Sequence, residues 1–151
     1  MKRTISKTLL LLVVAAGLAS FTPLGGEGFE IYLNNKVVLR QYGADMNQMQ
    51  QLKLTDAAAE DNLVVKYHHC GKVGKNRVIA IKDANNKTLK EWRFADVTTP
   101  FSAMQCKVKD IVNLGKKEVT ELRLYYTSSE LPAGRQLTSI VVEKQSLAVL
   151  K

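Results

Sequence analysis

The consecutive residues His68-His69-Cys70 are the side chains best suited to chemistry in this chain. Imidazole nitrogen and thiolate sulfur are ligands that zinc or copper accepts. In a regular strand, however, neighbouring side chains point to opposite faces, so His68 and His69 do not reach one ion together. The sequence has only 2 histidines, and further ligands would have to be of another kind. The pair therefore reads as one packed and one exposed histidine, each a weak metal candidate, and no cofactor is expected.

Cys70 has one available partner, Cys106. In an exported chain such a pair is expected to be a disulfide. Closing a loop of about 36 residues would contribute roughly 4 kcal/mol in the chain-entropy model. Alternation puts Cys106 on one face with Met104 and Val108, but Cys70 falls in step with Lys66 and His68. A bulge before Gly71, or a strand end there, is needed to turn Cys70 inward.

The next residues, Gly71-Lys-Val-Gly-Lys-Asn-Arg77, hold two glycines and three cations. A phosphate-binding loop wants four residues between its glycines, Ser or Thr after the lysine, and a helix to follow. Here the glycines are two residues apart, Asn76 follows Lys75, and a strand comes next. The stretch reads as a hairpin turn that presents Lys72, Lys75 and Arg77 at its tip, a ligand-contacting candidate because sandwich folds bind through such loops. No catalytic residue is expected. Gly-x-Ser-x-Gly and His-Glu-x-x-His are absent, and two adjacent histidines leave little for a triad. Two of the 14 acidic residues could still converge as a hydrolytic pair without leaving a sequence mark. Asn86-Lys-Thr88 matches the glycosylation acceptor pattern, which has meaning only in a eukaryotic secretory pathway.

The elements that must position these residues are strands. Leu63, Val65 and Tyr67 share one face of a strand over Leu63–Cys70, Ile79 and Ile81 point inward from Arg77–Lys82, and Trp92 and Phe94 alternate with Glu91 and Arg93. Asp83 to Thr88 supplies turn chemistry between the last two. Upstream, Phe29–Leu33 and Lys36–Tyr42 are joined at Asn34-Asn35, a two-residue type I′ turn, with Val37 and Leu39 on one face. Gln51–Leu54 is a short strand and Thr55–Asn62 a surface connection. Downstream come a strand over Ala103–Lys109, a helical turn over Asp110–Leu114 closed by Gly115, and a strand over Val119–Thr127 with Leu122, Leu124 and Tyr126 inward. A turn-rich stretch over Ser128–Arg135 precedes a return strand over Leu137–Lys144, and Ser146–Lys151 forms an edge strand or tail. About eight short strands without a long helix predict an all-β fold, an antiparallel β-sandwich in one domain.

The N-terminus has the three parts of a secretory signal peptide: a basic start with Lys2, Arg3 and Lys7, an apolar run, and small residues at Gly17 and Ala19. The apolar stretch is about 13 residues, short of the roughly 20 that span a bilayer. The domain plan is thus a signal peptide over 1–19, a flexible lead-in over 20–28 and a sandwich over 29–151. Removal of the leader lowers the formal charge from +8 to +5, a moderate excess of lysine spread over a solvated exterior. The expected role is non-catalytic binding or interaction, exported to the envelope or beyond the cell, with an anionic polysaccharide or envelope component as partner and no nucleic acid. The alternative is a carbohydrate-active or other hydrolytic enzyme using an unmarked carboxylate pair.

Overall fold

The computed structural model describes residues 26–55, 58–115 and 121–143. The expected leader, most of the lead-in and the segment 146–151 lie outside the described residues. The chain forms β1 (Gly28–Leu33), β2 (Lys36–Tyr42), β3 (Gln51–Thr55), β4 (Asn62–His68), β5 (Val78–Lys82), β6 (Thr88–Arg93), β7 (Met104–Lys107), α1 (Val108–Gly115), β8 (Leu122–Ser128) and β9 (Leu131–Glu143). A short 3-10 helix, Gly43–Asn47, follows β2. The first sheet has the order β2-β1-β4-β7 and the second β3-β9-β8-β5-β6, so the fold is an all-β sandwich.

Alternation builds the core. Phe29 and Ile31 of β1, Leu63 and Val65 of β4, and Met104 and Cys106 of β7 meet Ile79, Ile81, Leu122, Leu124, Tyr126 and Ile140 from the second sheet. Val108, Ile111 and Val112 of α1 are buried on the same core, the i, i+3, i+4 stripe of an amphipathic helix. That helix is eight residues long and starts directly at the end of β7, so the strand is shorter and the helix longer than the sequence suggests. Asn34 and Asn35 have φ of 48° and 66°, as a type I′ turn requires. Trp92 of the edge strand β6 and Phe94 just beyond it pack half-buried against the core.

Three local patterns differ from expectation. A bulge between Ile31 and Tyr32 shifts the β1–β2 register, so Val37 pairs with Tyr32 and is 37% exposed instead of facing inward with Leu39. The turn-rich stretch after Ser128 contracts to a tight reversal, with Ser128 paired to Leu131. There β9 runs on through Gly134, whose φ of +70° accommodates the irregular pairing with β8. Strand β3 joins β9 in the second sheet in parallel, the one parallel pair among the described residues.

The two cysteines are not bonded: Cys106 is buried and Cys70 exposed. Cys106 lies opposite Leu63 at the start of β4, whereas Cys70 follows the far end of that strand. At about 3.3 Å per residue the two are roughly 20 Å apart along the sheet, and a disulfide needs α-carbons within about 7 Å. The expected bulge does not occur. The strand ends, and Cys70 turns outward in a left-handed conformation with φ of 53°. Titration of the denatured, unreduced protein is expected to find two free thiols per chain; a protein without free thiols would contradict this strand placement.

Candidate functional site

Strand β4 separates the two histidines. His69 turns into the end of the sandwich and is 8% exposed, while His68 lies half-buried on the outer face of the first sheet. Among the described residues, no group of three or more His, Cys, Asp or Glu side chains is placed to hold a metal ion.

At the sandwich end, Cys70 and Gly71 make a two-residue reversal and Lys72 N–H donates to the His69 carbonyl at 3.1 Å. The stretch Gly71–Arg77 is therefore a crossover between sheets, because β4 and β5 belong to different ones. Gly74 packs so closely over the buried histidine that a β-carbon there would lie 3.1 Å from His69 Nε2. Lys72 and Lys75 are exposed, but Arg77 is 5% exposed and is not a tip cation. Its guanidinium donates to the carbonyls of Ser102 and Ala95, each at 3.0 Å, and so holds both ends of the loop between β6 and β7.

Glu27, His69, Cys70, Lys72 and Glu130 line a pocket of about 180 Å³, below the usual size of ligand cavities. Its two carboxylates and its histidine are engaged. Glu27 accepts from Tyr67 Oη at 2.6 Å and from Arg135 at 3.3 Å. Glu130 accepts the Lys75 N–H at 2.9 Å. Burial raises the Glu130 carboxyl, but hydrogen bonds from Lys75 and its own backbone, with lesser contributions, outweigh that and hold it below its ordinary value. It is a carboxylate at neutral pH, not a proton donor. His69 Nε2 lies 2.9 Å from Tyr126 Oη and 3.3 Å from Ser128 Oγ. This serine–histidine approach left no mark in the sequence. Ser128 is 3% exposed and already accepts the Leu131 N–H at 3.2 Å, so its oxygen is shielded from a substrate.

The outer face of the first sheet is built differently. Tyr42 and His68 both pair with Gly28 from opposite sides, and a β-carbon at Gly28 would overlap the Tyr42 ring. The bare glycine lets that ring lie across β1, with its Oη 3.4 Å from His68 Nε2. Phe101 tilts onto His68 with ring centroids 4.1 Å apart. In the next row Glu30 pairs with Arg40 and Lys66. It accepts hydrogen bonds from Tyr32 and, at 2.7 Å, from Tyr42, and Arg40 Nε lies 3.0 Å away. Lys66 Nζ sits 4.9 Å from the Tyr32 ring centre.

These contacts set the charges. Burial raises the Glu30 carboxyl, but the two tyrosine bonds and the Arg40 and His68 charges more than offset it and hold it below its ordinary value. Burial, then the bond to Glu30, pushes the Tyr42 hydroxyl up to about 12. His68 is lowered chiefly by burial, against the pull of Glu30 and with the help of Lys66 and Arg40. Near pH 7 the face carries one fixed anion, two protonated tyrosine donors and a neutral imidazole. Beside it, along β2, a groove of about 430 Å³ is lined by residues that include Arg40, Asp45, Gln48 and Gln51.

Sequence reasoning missed this face. Its signal was the outward half of the alternation, Glu30-x-Tyr32 against Arg40-x-Tyr42. Phe101 had none, because a loop brings it there. Compared with models of protein families and with curated proteins, the sequence gives no match.

Two measurements follow from this geometry. Arg77→Ser removes the two bonds that the buried guanidinium makes to the loop and should lower stability by about 1–3 kcal/mol in urea titration. Lys72→Ser and Lys75→Ser should leave it within about 0.5 kcal/mol. Equal, negligible effects from all three would show that Arg77 is not the anchor. Burial, opposed by Glu130 and Glu27, lowers the His69 pKa on folding. The unfolded chain therefore takes up that proton first, and stability rises with pH. The contribution is complete above about pH 6.5 and declines as the pH falls below it. His69→Gln should flatten the stability–pH slope between pH 7.5 and 5.5, whatever its effect on absolute stability; an unchanged slope would mean His69 titrates as freely in the fold as in the unfolded chain.

Proposed function

We propose that this chain is a non-catalytic binding domain that works at the cell envelope or outside the cell, with the outer face of the first sheet as its binding surface. The observation that carries the reading is Phe101. This side chain is 45% exposed, its backbone sits in the left-handed region at φ of 65°, and its ring rests on His68. A non-glycine residue there costs about 1–2 kcal/mol, and an exposed phenyl gains little from burial to offset it. Strain of this kind concentrates where a side chain is held for a partner. The buried Arg77 guanidinium fastens the loop that carries Phe101, so this aromatic is held in place on a rigid support.

The neighbouring groups suit binding better than turnover. Glu30 is held by hydroxyl donors and a guanidinium, an arrangement that fixes its geometry and keeps it an acceptor and not a proton donor. The export half of the proposal rests on the leader alone, with its basic start, short apolar run and small residues before Ser20.

Purified protein should be retained by envelope preparations from the producing cells. Phe101→Ser should reduce that retention at least about fivefold. Tyr125→Ser, on the outer face of the second sheet, should leave it unchanged. The exported form should begin near Ser20 by intact mass. Equal retention of both variants, or an exported chain starting at Met1, would overturn the corresponding half of the reading.

A further inference from the structure

We infer that the ligand of this face is an acidic saccharide, a chain of sugar rings bearing carboxylates. The inference rests on the binding-surface reading above and names the chemistry that the surface fits. Sugar rings present C–H faces that pack on aromatic rings and hydroxyl edges that need paired donors and acceptors. The row Tyr42–His68–Phe101 supplies aromatic surface, partly exposed, on one side of Glu30, and Tyr32 supplies more on the other. Between them lie groups of both hydrogen-bonding polarities: the Glu30 carboxylate, the Arg40 guanidinium and the Lys66 ammonium. The groove along β2 continues the polar surface with the exposed amides of Gln48 and Gln51, and Arg40 lines both.

Charge selects the acidic class. The outward positions of these strands carry Arg40, Lys66 and Lys107 against the carboxylate of Glu30, and the adjoining groove adds one further acid, Asp45. That carboxylate is already neutralised at 3.0 Å by Arg40 and capped by two tyrosine hydroxyls. Arg40 has a 55% exposed side chain, and its guanidinium has donors left over beyond those facing Glu30. A planar guanidinium is the group that meets a carboxylate with two parallel hydrogen bonds. A neutral saccharide would add no counter-charge to the positive excess of this face. A bare polyanion such as a phosphate polymer would leave the aromatic row without a partner. A saccharide with a carboxylate uses both.

The test is affinity electrophoresis of the full chain in gels containing polygalacturonate, its methyl ester, or dextran. Wild type should be retarded most by polygalacturonate, several-fold less by the methyl ester and least by dextran, with the first weakening as salt is added. Phe101→Ala should weaken the polygalacturonate interaction about fivefold, and Arg40→Gln about two- to fivefold. Tyr125→Ala should have no effect. Equal retardation by acid and methyl ester, lost in Phe101→Ala, would overturn the acidic class and keep the surface. Equal retardation of every variant by polygalacturonate would mean adsorption by overall charge and would overturn the inference. No retardation in any gel would also overturn it. Phe101-dependent retention on envelope preparations would then show that the surface serves another class of ligand, and loss of that dependence would remove the surface reading as well.

Discussion

The period-two alternation of β4 is the constraint on which the rest of the molecule depends. Leu63, Val65 and Tyr67 go inward, and Val64, Lys66 and His68 go outward, without exception along the strand. Because β4 lies between β1 and β7, this alternation sets the inward half of the first sheet and the make-up of its outer face together. A slip of one residue would put Lys66 into the core and Tyr67 into water. The same rule parts two adjacent histidines into unrelated environments, one closing the sandwich end and one joining an aromatic row.

Buried polar groups tie the two sheets together where the apolar core thins. Tyr67 and Tyr126 stack at 4.3 Å across the sandwich, and His69 caps them with its bond to Tyr126 Oη. Arg77 does the comparable work on the loop side by giving two donors to the carbonyls of Ser102 and Ala95. Both terminal nitrogens of the Arg77 guanidinium are paired, although its Nε is buried without a partner among the described residues, and these two bonds join the stretch between the sheets to the neighbouring loop. The exposed pairs elsewhere, such as Lys53 with Glu143 at 2.8 Å, stay in water and add little to stability.

The outer face of the first sheet joins aromatic surface to a fixed charge pattern. Glu30 keeps its charge because hydroxyl donors and a guanidinium repay its partial burial, and the tyrosines keep their protons because burial at Tyr42 and the bond to the same carboxylate at both favour the neutral hydroxyl. Each group fixes the protonation of its neighbour, so the pattern holds across the neutral range. The proposed binding role rests on the exposed Phe101 ring, and the acidic-saccharide class on the cations and aromatic rings that lie beside it.

By itself the sequence determined the strands, the all-β class, the Asn34-Asn35 turn, and the inward sets at Phe29 and Ile31, Leu63 to Tyr67, Ile79 and Ile81, and Leu122 to Tyr126. These follow from alternation and from residues that tolerate positive φ, both of which are local. Tertiary structure decided whatever depended on which strands became neighbours. It placed Cys70 and Cys106 at opposite ends of β4, joined β3 to β9 in parallel, turned Val37 outward through a bulge, and drew Arg77 inward because the segment after Cys70 crosses between sheets. It also assembled the candidate face, whose members come from β1, β2, β4 and a distant loop. Period two says only which residues share a face of one strand; pairing across strands and the loop held by Arg77 decide which faces meet.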